Sequence, residues 1–388
     1  MFTGFHKYPF THSFFLLCII CSLACKSDID YDKANPIEAQ YFEDYESPDS
    51  KWGYIDTRAE VIIEPQFDEA RDFSCQRAAV NLKGKWGFID RSGQLVIDPK
   101  FKQVLDFSDD RSFVQDFNLK WWLVDVSGDT ISSVQYDDFR PYKDFMAVVN
   151  LGGTWGVIDR SGQEIIPVVY QGIKLMGMNS FALKSAEGWQ LQNAEFDNLI
   201  EGYFDNMKYA GAGNIKIYKG GLCRIFNVVN SDISKAYKRT TEFQNDKCWA
   251  FDGTNHILLD AQFNELTVFS ADRILVAGEN MWRFKRNGKW GLVDDKGRIK
   301  VPAKFDFLNA FRSRRAVMGL VDAWGYIDPF GNQVINPVLP LAWDFHSGRA
   351  RIIDYGGFGM IDTSGTLIIA AQFTELRDFY EGRARFQP

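Results

Sequence analysis

One phrase, Trp-Gly-x-Ile-Asp, returns along this chain at a period of about 34 residues. It reads clearly at Trp52–Asp56, Trp86–Asp90, Trp155–Asp159, Trp290–Asp294, Trp324–Asp328 and, with Phe for Trp, Phe358–Asp362. A fixed period of this size means one small supersecondary unit copied in tandem. Each copy packs on its neighbours, so 388 residues read as one array rather than as two or three independent domains.

The unit has a constant grammar, plain at residues 77–107. A short apolar run (Ala78 to Leu82) reaches a turn at Lys83-Gly84, matched by Gly152-Gly153, Asn287-Gly288 and Gly356-Gly357. Such pairs supply the positive φ angles of two-residue hairpin turns. The Trp-Gly strand follows and ends in Asp-x-x-Gly, where Asp accepts backbone N–H groups and Gly takes the left-handed position. A further apolar run (Leu95 to Ile97) leads to an aromatic eleven residues after the Asp, as in Asp56 to Phe67 and Asp90 to Phe101. No segment carries a helical period. The expectation is all-β: about ten three-stranded antiparallel meanders of roughly 34 residues. Within the Trp-Gly strand, Gly is expected to leave a notch that receives a bulky side chain from the adjoining repeat.

These residues, recurring together in register from Lys51 to Pro388, resemble the WG (KWG) repeat family. The resemblance implies a repeat-built β scaffold, bacterial and often secreted or lipid-anchored, and no particular reaction.

Four copies break the pattern: Trp121-Trp122, Trp189-Gln190, Cys223-Arg224 and Cys248-Trp249 stand where Trp-Gly is expected. Taking Cys248 as the displaced anchor leaves steps of 25 and 42 residues, one short connection and one long. Drift of interior copies explains residues 180–285 more economically than remodelling into a binding surface. The first copy starts at its Trp-Gly strand and the last stops one strand short of one, so the two ends are complementary halves of a hairpin. Because three strands are lean for a propeller blade, an open twisted superhelix is expected, with a closed propeller-like ring as the alternative.

Ahead of the repeats, residues 1–24 read as a lipoprotein signal peptide. Phe14 to Ile20 is too short to span a bilayer unaided, and Ala24 precedes Cys25, the expected lipid-attachment residue. Residues 25–50 read as an acidic flexible tether, leaving 51–388 as the repeat domain. The expected location is the bacterial outer membrane or cell surface, or a periplasm-facing position. A net charge of −7 with interspersed signs gives no reason to expect nucleic acid.

Catalytic signals are weak. Beyond residue 24 only His256 and His346 remain, both expected in loops and neither beside a nucleophile-elbow motif. No short-range Cys/His cluster suggests zinc, and the Asp-x-x-Gly turns lack the ligand alternation of a calcium loop. The expectation is therefore a non-enzyme without cofactor or metal. It is a cell-envelope scaffold binding a protein or glycan, with a paired-carboxylate glycan hydrolase or a pure spacer as alternatives. Trp122, Trp282 and Trp343 fall off the anchor position, so they are the candidate exposed ligand contacts.

Overall fold

Alternating apolar strands separated by tight turns give ten small antiparallel sheets in the computed structural model, which describes residues 50–388. The signal peptide, Cys25 and the tether to residue 49 lie outside the described residues. No helix occurs among the described ones.

Blade 2 shows the unit. Its strands are Glu69–Ala70, Ala78–Leu82, Lys85–Ile89 and Leu95–Phe101. The first two are joined through Cys75 and Gln76 at φ 51° and 60°, the backbone of a type I′ turn. Past the Trp-Gly strand, Asp90 Oδ1 accepts the N–H groups of Ser92 and Gln94 at 2.9 and 3.1 Å. Trp86 pairs directly with Phe101 across the last two strands, which is why the Asp-to-aromatic offset is constant. The blade has four strands rather than the expected three. The extra one is a short strand that continues from the preceding blade after a single residue.

Gly of the Trp-Gly pair has a different neighbour from the one expected. A Cβ on Gly87 would stand 2.5 Å from the Ile97 carbonyl oxygen and 2.7 Å from Pro99 N. These atoms belong to the last strand of the same blade, so backbone rather than an adjoining side chain fills the notch. That strand bulges inward there: Trp86 to Phe88 on one side faces Ile97 to Phe101 on the other. The six blades that keep this Gly all have the seven-residue bulged last strand. Where Trp122, Gln190 or Arg224 replaces Gly, only isolated bridges remain in its place. A side chain at that position and the bulge cannot share the space.

The period itself is unbroken. His256, first residue of the third strand of blade 7 (His256–Leu259), pairs with Phe269 as Trp52 pairs with Phe67. His256, not Cys248, is therefore the anchor, and Cys248 lies on the preceding strand Cys248–Phe251. The ten anchors, including Trp189, Cys223, His256 and Trp290, then fall 33 to 35 residues apart. His256 is accordingly a buried strand residue and not the expected loop histidine, whereas His346 does sit in a loop.

The array closes. Trp52–Asp56 pairs with Arg383–Gln387, Gly53 opposite Phe386 and Asp56 opposite Arg383. Together with Val61–Phe67 and Glu375–Leu376 they form blade 1 from the two ends of the described chain. The open superhelix is thus corrected to the closed, ten-bladed propeller. Pairing the complementary ends removes two strand edges that would otherwise invite aggregation, and the short fourth strand fills out a blade that three would leave thin. The core is distributed between blades: Phe88 and Ile97 of blade 2 pack with Val104, Phe107, Val114 and Val124 of blade 3.

Candidate ligand-binding site

Before any position can be assigned to a ligand, those used for construction must be set aside. A cation of one blade reaches the first strand of the next at seven interfaces. Arg71 Nη1 donates to Val104 O at 2.8 Å, Arg283 Nη1 to Leu308 O at 2.7 Å and Lys216 Nζ to Thr240 O at 3.2 Å. Arg140, Lys174, Arg351 and Arg385 reach Ile173, Met207, Leu376 and Ala70 in the same way. Several of these cations also cover an aromatic face, Arg71 over Trp86 at 4.7 Å and Arg385 over Trp52 at 5.3 Å. The anchor Trp is thus part of a cation-capped joint between blades.

The same cations neutralise acids of the next blade: Arg351 with Asp378 and Arg385 with Asp72, both at 2.8 Å, and Lys216 with Glu242 at 2.7 Å. Asp344 departs from this arrangement, because blade 9 carries Asn309 where others carry the cation. Asn309 Nδ2 donates to its Oδ2 at 2.7 Å. Burial pushes the Asp344 carboxyl up to about 6.

A second set of joints is made by arginines that directly follow a type I′ turn. Arg77 Nε donates to Val126 O at 2.9 Å, Arg111 Nε to Arg160 O at 2.7 Å and Arg315 Nε to Thr363 O at 2.8 Å. Each acceptor follows the Asp of an Asp-x-x-Gly turn in the next blade.

Two of the three tryptophans expected at the surface are in the core. Trp282 is fully buried edge-on to Trp249 at 6.5 Å, and Trp343 is 3% exposed beside Phe358 at 5.6 Å. Trp282 lies in the strand Met281–Arg286 and Trp343 directly follows the short strand Leu341–Ala342, and both are buried, which position relative to the anchor does not reveal. Trp122 is half-buried and its indole Nε1 donates to Asp116 Oδ2 at 3.1 Å. The structure does not bring the three together.

A cleft does occur where two consecutive blades lose their Gly. Blade 5 contains strands Gly172–Leu175, Ser180–Ser185 and Gly188–Asn193; blade 6 contains Asn206–Gly211, Asn214–Lys219 and Leu222–Asn227. In blade 5 the chain bonds to Leu191 through Leu199 and to Trp189 through Phe204, so residues 200–203 stand off the sheet. In blade 6 Ser234 and Tyr237 make the corresponding bonds to Ile225 and Cys223, which leaves only Lys235 and Ala236 between them. A long loop beside a short one leaves an open space of about 380 Å³. Ile200, Phe204, Ile217, Leu222 and Ile233 form its apolar surface, with Lys219, Arg224 and Glu201 around them. Arg224 occupies the lost Gly position, is exposed, and makes no side-chain hydrogen bond or ion pair among the described residues. The Lys219 ammonium lies 5.7 Å from the Phe204 ring centroid. A volume in this range, apolar with a few charges, suits an amphipathic ligand. Sequence reasoning had the signal, Arg in place of Gly, but assigned the stretch to drift.

Among the described residues no group of three His, Cys, Asp or Glu is arranged to hold a metal ion.

The model of the WG containing repeat matches residues 52–86, 86–121, 155–176, 290–313, 324–354 and 358–387. The chain belongs to the WG-repeat family. The longest stretch the matches skip, residues 177–289, holds three of the four blades in which the WG repeat loses its Gly, including the two where the cleft opens. No curated protein matches the chain. Solved structures similar to it include a eukaryotic initiation factor (10% identity, TM-score 0.46, 87% of this chain and 98% of that one). BamB from Moraxella catarrhalis is 8% identical, with TM-score 0.32 over 82% and 95% of the two chains. Hsv2p from Kluyveromyces lactis is 10% identical, with TM-score 0.33 over 57% and 91%. Likenesses this loose carry no inference for this WG-repeat chain.

Proposed function

We propose that this WG-repeat protein is a non-catalytic scaffold of the bacterial envelope, lipid-anchored at Cys25, which binds a partner protein in the cleft of blades 5 and 6. The observation that carries the reading is the cleft, with Arg224 exposed and unpaired beside Leu222 and Ile233, which are 37% and 45% exposed. Two cations against one acid favour an extended acidic segment with aliphatic side chains over a neutral glycan. The non-catalytic reading is supported by the fate of the carboxylates between blades. Asp72, Asp106 and Asp378 each face an arginine of the preceding blade, so they serve the joints.

Placing a photo-crosslinking residue at Leu222, and separately at the fully exposed Tyr355 of blade 10, tests the reading in cells. A discrete adduct is expected from position 222 alone, and Arg224→Glu abolishes it. The same adducts from both positions, or none from 222, would overturn it. Anchoring is tested apart from binding: Cys25→Ser releases the protein from the membrane fraction.

A further inference from the structure

We infer a second, independent binding site on blade 9, which takes a sugar ring carrying a carboxylate or phosphate. Blade 9 (Phe307–Leu308, Ala316–Leu320, Ala323–Ile327, Gln333–Leu339) is regular in its strands and keeps its Gly. It departs from the repeat in two adjacent turns. The type I′ turn is Ser313-Arg314, with φ 49° and 59°, and no other copy puts a cation at the second position; Gln76, Asp110 and Gly348 stand there instead. The Asp-x-x-Gly turn is Asp328-Pro329-Phe330-Gly331, where Ser92, Ser161 and Ser364 mark the same position elsewhere. Neither change serves the fold. Phe330 is 73% exposed, and among the described residues it stacks on no other ring and Arg314 makes no side-chain hydrogen bond or ion pair.

Between these turns lies an open concavity of about 330 Å³, bounded by both of them and by Thr363 of blade 10. Arg315, which lines the space, is held in place, Nε on Thr363 O at 2.8 Å and Nη1 on Arg314 O at 2.9 Å, and these two bonds use only part of its donor capacity. Ser313 Oγ accepts Gly348 N–H at 3.1 Å, so its own proton is available to a ligand. Asp328 adds a negative charge, but its oxygens already accept Phe330 N–H, Asn332 N–H and the Asn332 amide at 2.9 Å each. An aromatic face beside a guanidinium pair and hydroxyls is the chemistry of acidic-sugar recognition. The ring packs its C–H face on Phe330, the arginines take the anion, and Ser313 and Thr363 take hydroxyls. Uronic acids of polysaccharides and phosphosugars of lipid headgroups share that chemistry.

Calorimetry on the fragment 26–388 tests it with four probes: a glucuronate-containing tetrasaccharide, glucose 1-phosphate, a neutral glucose tetrasaccharide and inorganic phosphate. One or both acidic sugars should bind, and which of them binds more tightly identifies the source. Phe330→Ala and Arg314→Glu should each weaken binding at least tenfold while leaving the melting temperature unchanged. Inorganic phosphate binding as tightly as the sugars, indifference to Phe330→Ala, or no binding of either acidic sugar would overturn the site. Arg224→Glu leaves this binding intact, so the two proposals stand or fall separately.

Discussion

At the residue scale, the Gly of the Trp-Gly pair sets the shape of the six blades that keep it, because the backbone of the bulged last strand lies against it. A Cβ at Gly291 would stand 2.5 Å from Val301 O and 2.8 Å from Ala303 N. Gly291→Ala is therefore expected to cost about 1–3 kcal/mol by overpacking, and Gly291→Val more, as read from urea midpoints. His256 makes the opposite case. It fills a Trp position, both ring nitrogens are buried without a hydrogen-bond partner, and it lies 4.7 Å from the Phe251 ring. Burial lowers its pKa from 6.5 to about 4. Between those values the unfolded chain takes up a proton that the folded chain does not, so stability falls as pH drops from 6.5 towards 4. His256→Phe should raise the melting temperature at pH 7 and flatten the stability loss between pH 6.5 and 4.5; an unchanged slope would refute the assignment. Sequence reading found the phrase but missed this anchor, because hydrogen-bond register rather than residue type identifies it.

The elements are held by two kinds of joint, and neither is legible in one repeat alone. Arg71 and Arg283 occupy cross-strand partner positions on different strands, yet each reaches the same carbonyl position in the following blade. A pattern that alternates between two strands shows no period in sequence. Turns, by contrast, are local, and Asp-x-x-Gly specifies its own hydrogen bonds, which is why they were readable. Arg385→Ala breaks a joint and leaves the half-buried Asp72 without its partner, at an expected cost of about 1–3 kcal/mol. Lys51→Ala removes the more exposed ion pair with Asp68 and should cost less than about 1 kcal/mol. Equal midpoint shifts for the two variants would remove the distinction between joint and surface pair.

At the scale of the whole molecule, closure depends on the strand Arg383–Gln387. Truncation after Glu381 leaves Trp52–Asp56 without one neighbour and exposes an edge of blade 1. That protein is expected to self-associate in light scattering, whereas the intact ring has no such edge at blade 1. Strand content and the complementarity of the ends were readable from the sequence. The choice between ring and superhelix was not, because it depends on the angle between successive blades, which the distributed joints set. The cleft was hidden for a related reason, since it arises from the difference between two neighbouring loops and belongs to neither copy.

Closing the ring with strands from both ends also fixes where those ends stand on the circumference. Gln387 Nε2 donates to Ser50 O at 3.2 Å, so the first and last described residues meet at blade 1. On a circle of ten, blade 6 is the diametrically opposite station. Among the described residues, the cleft of blades 5 and 6 therefore faces across the ring from the blade in which the two ends of the chain meet.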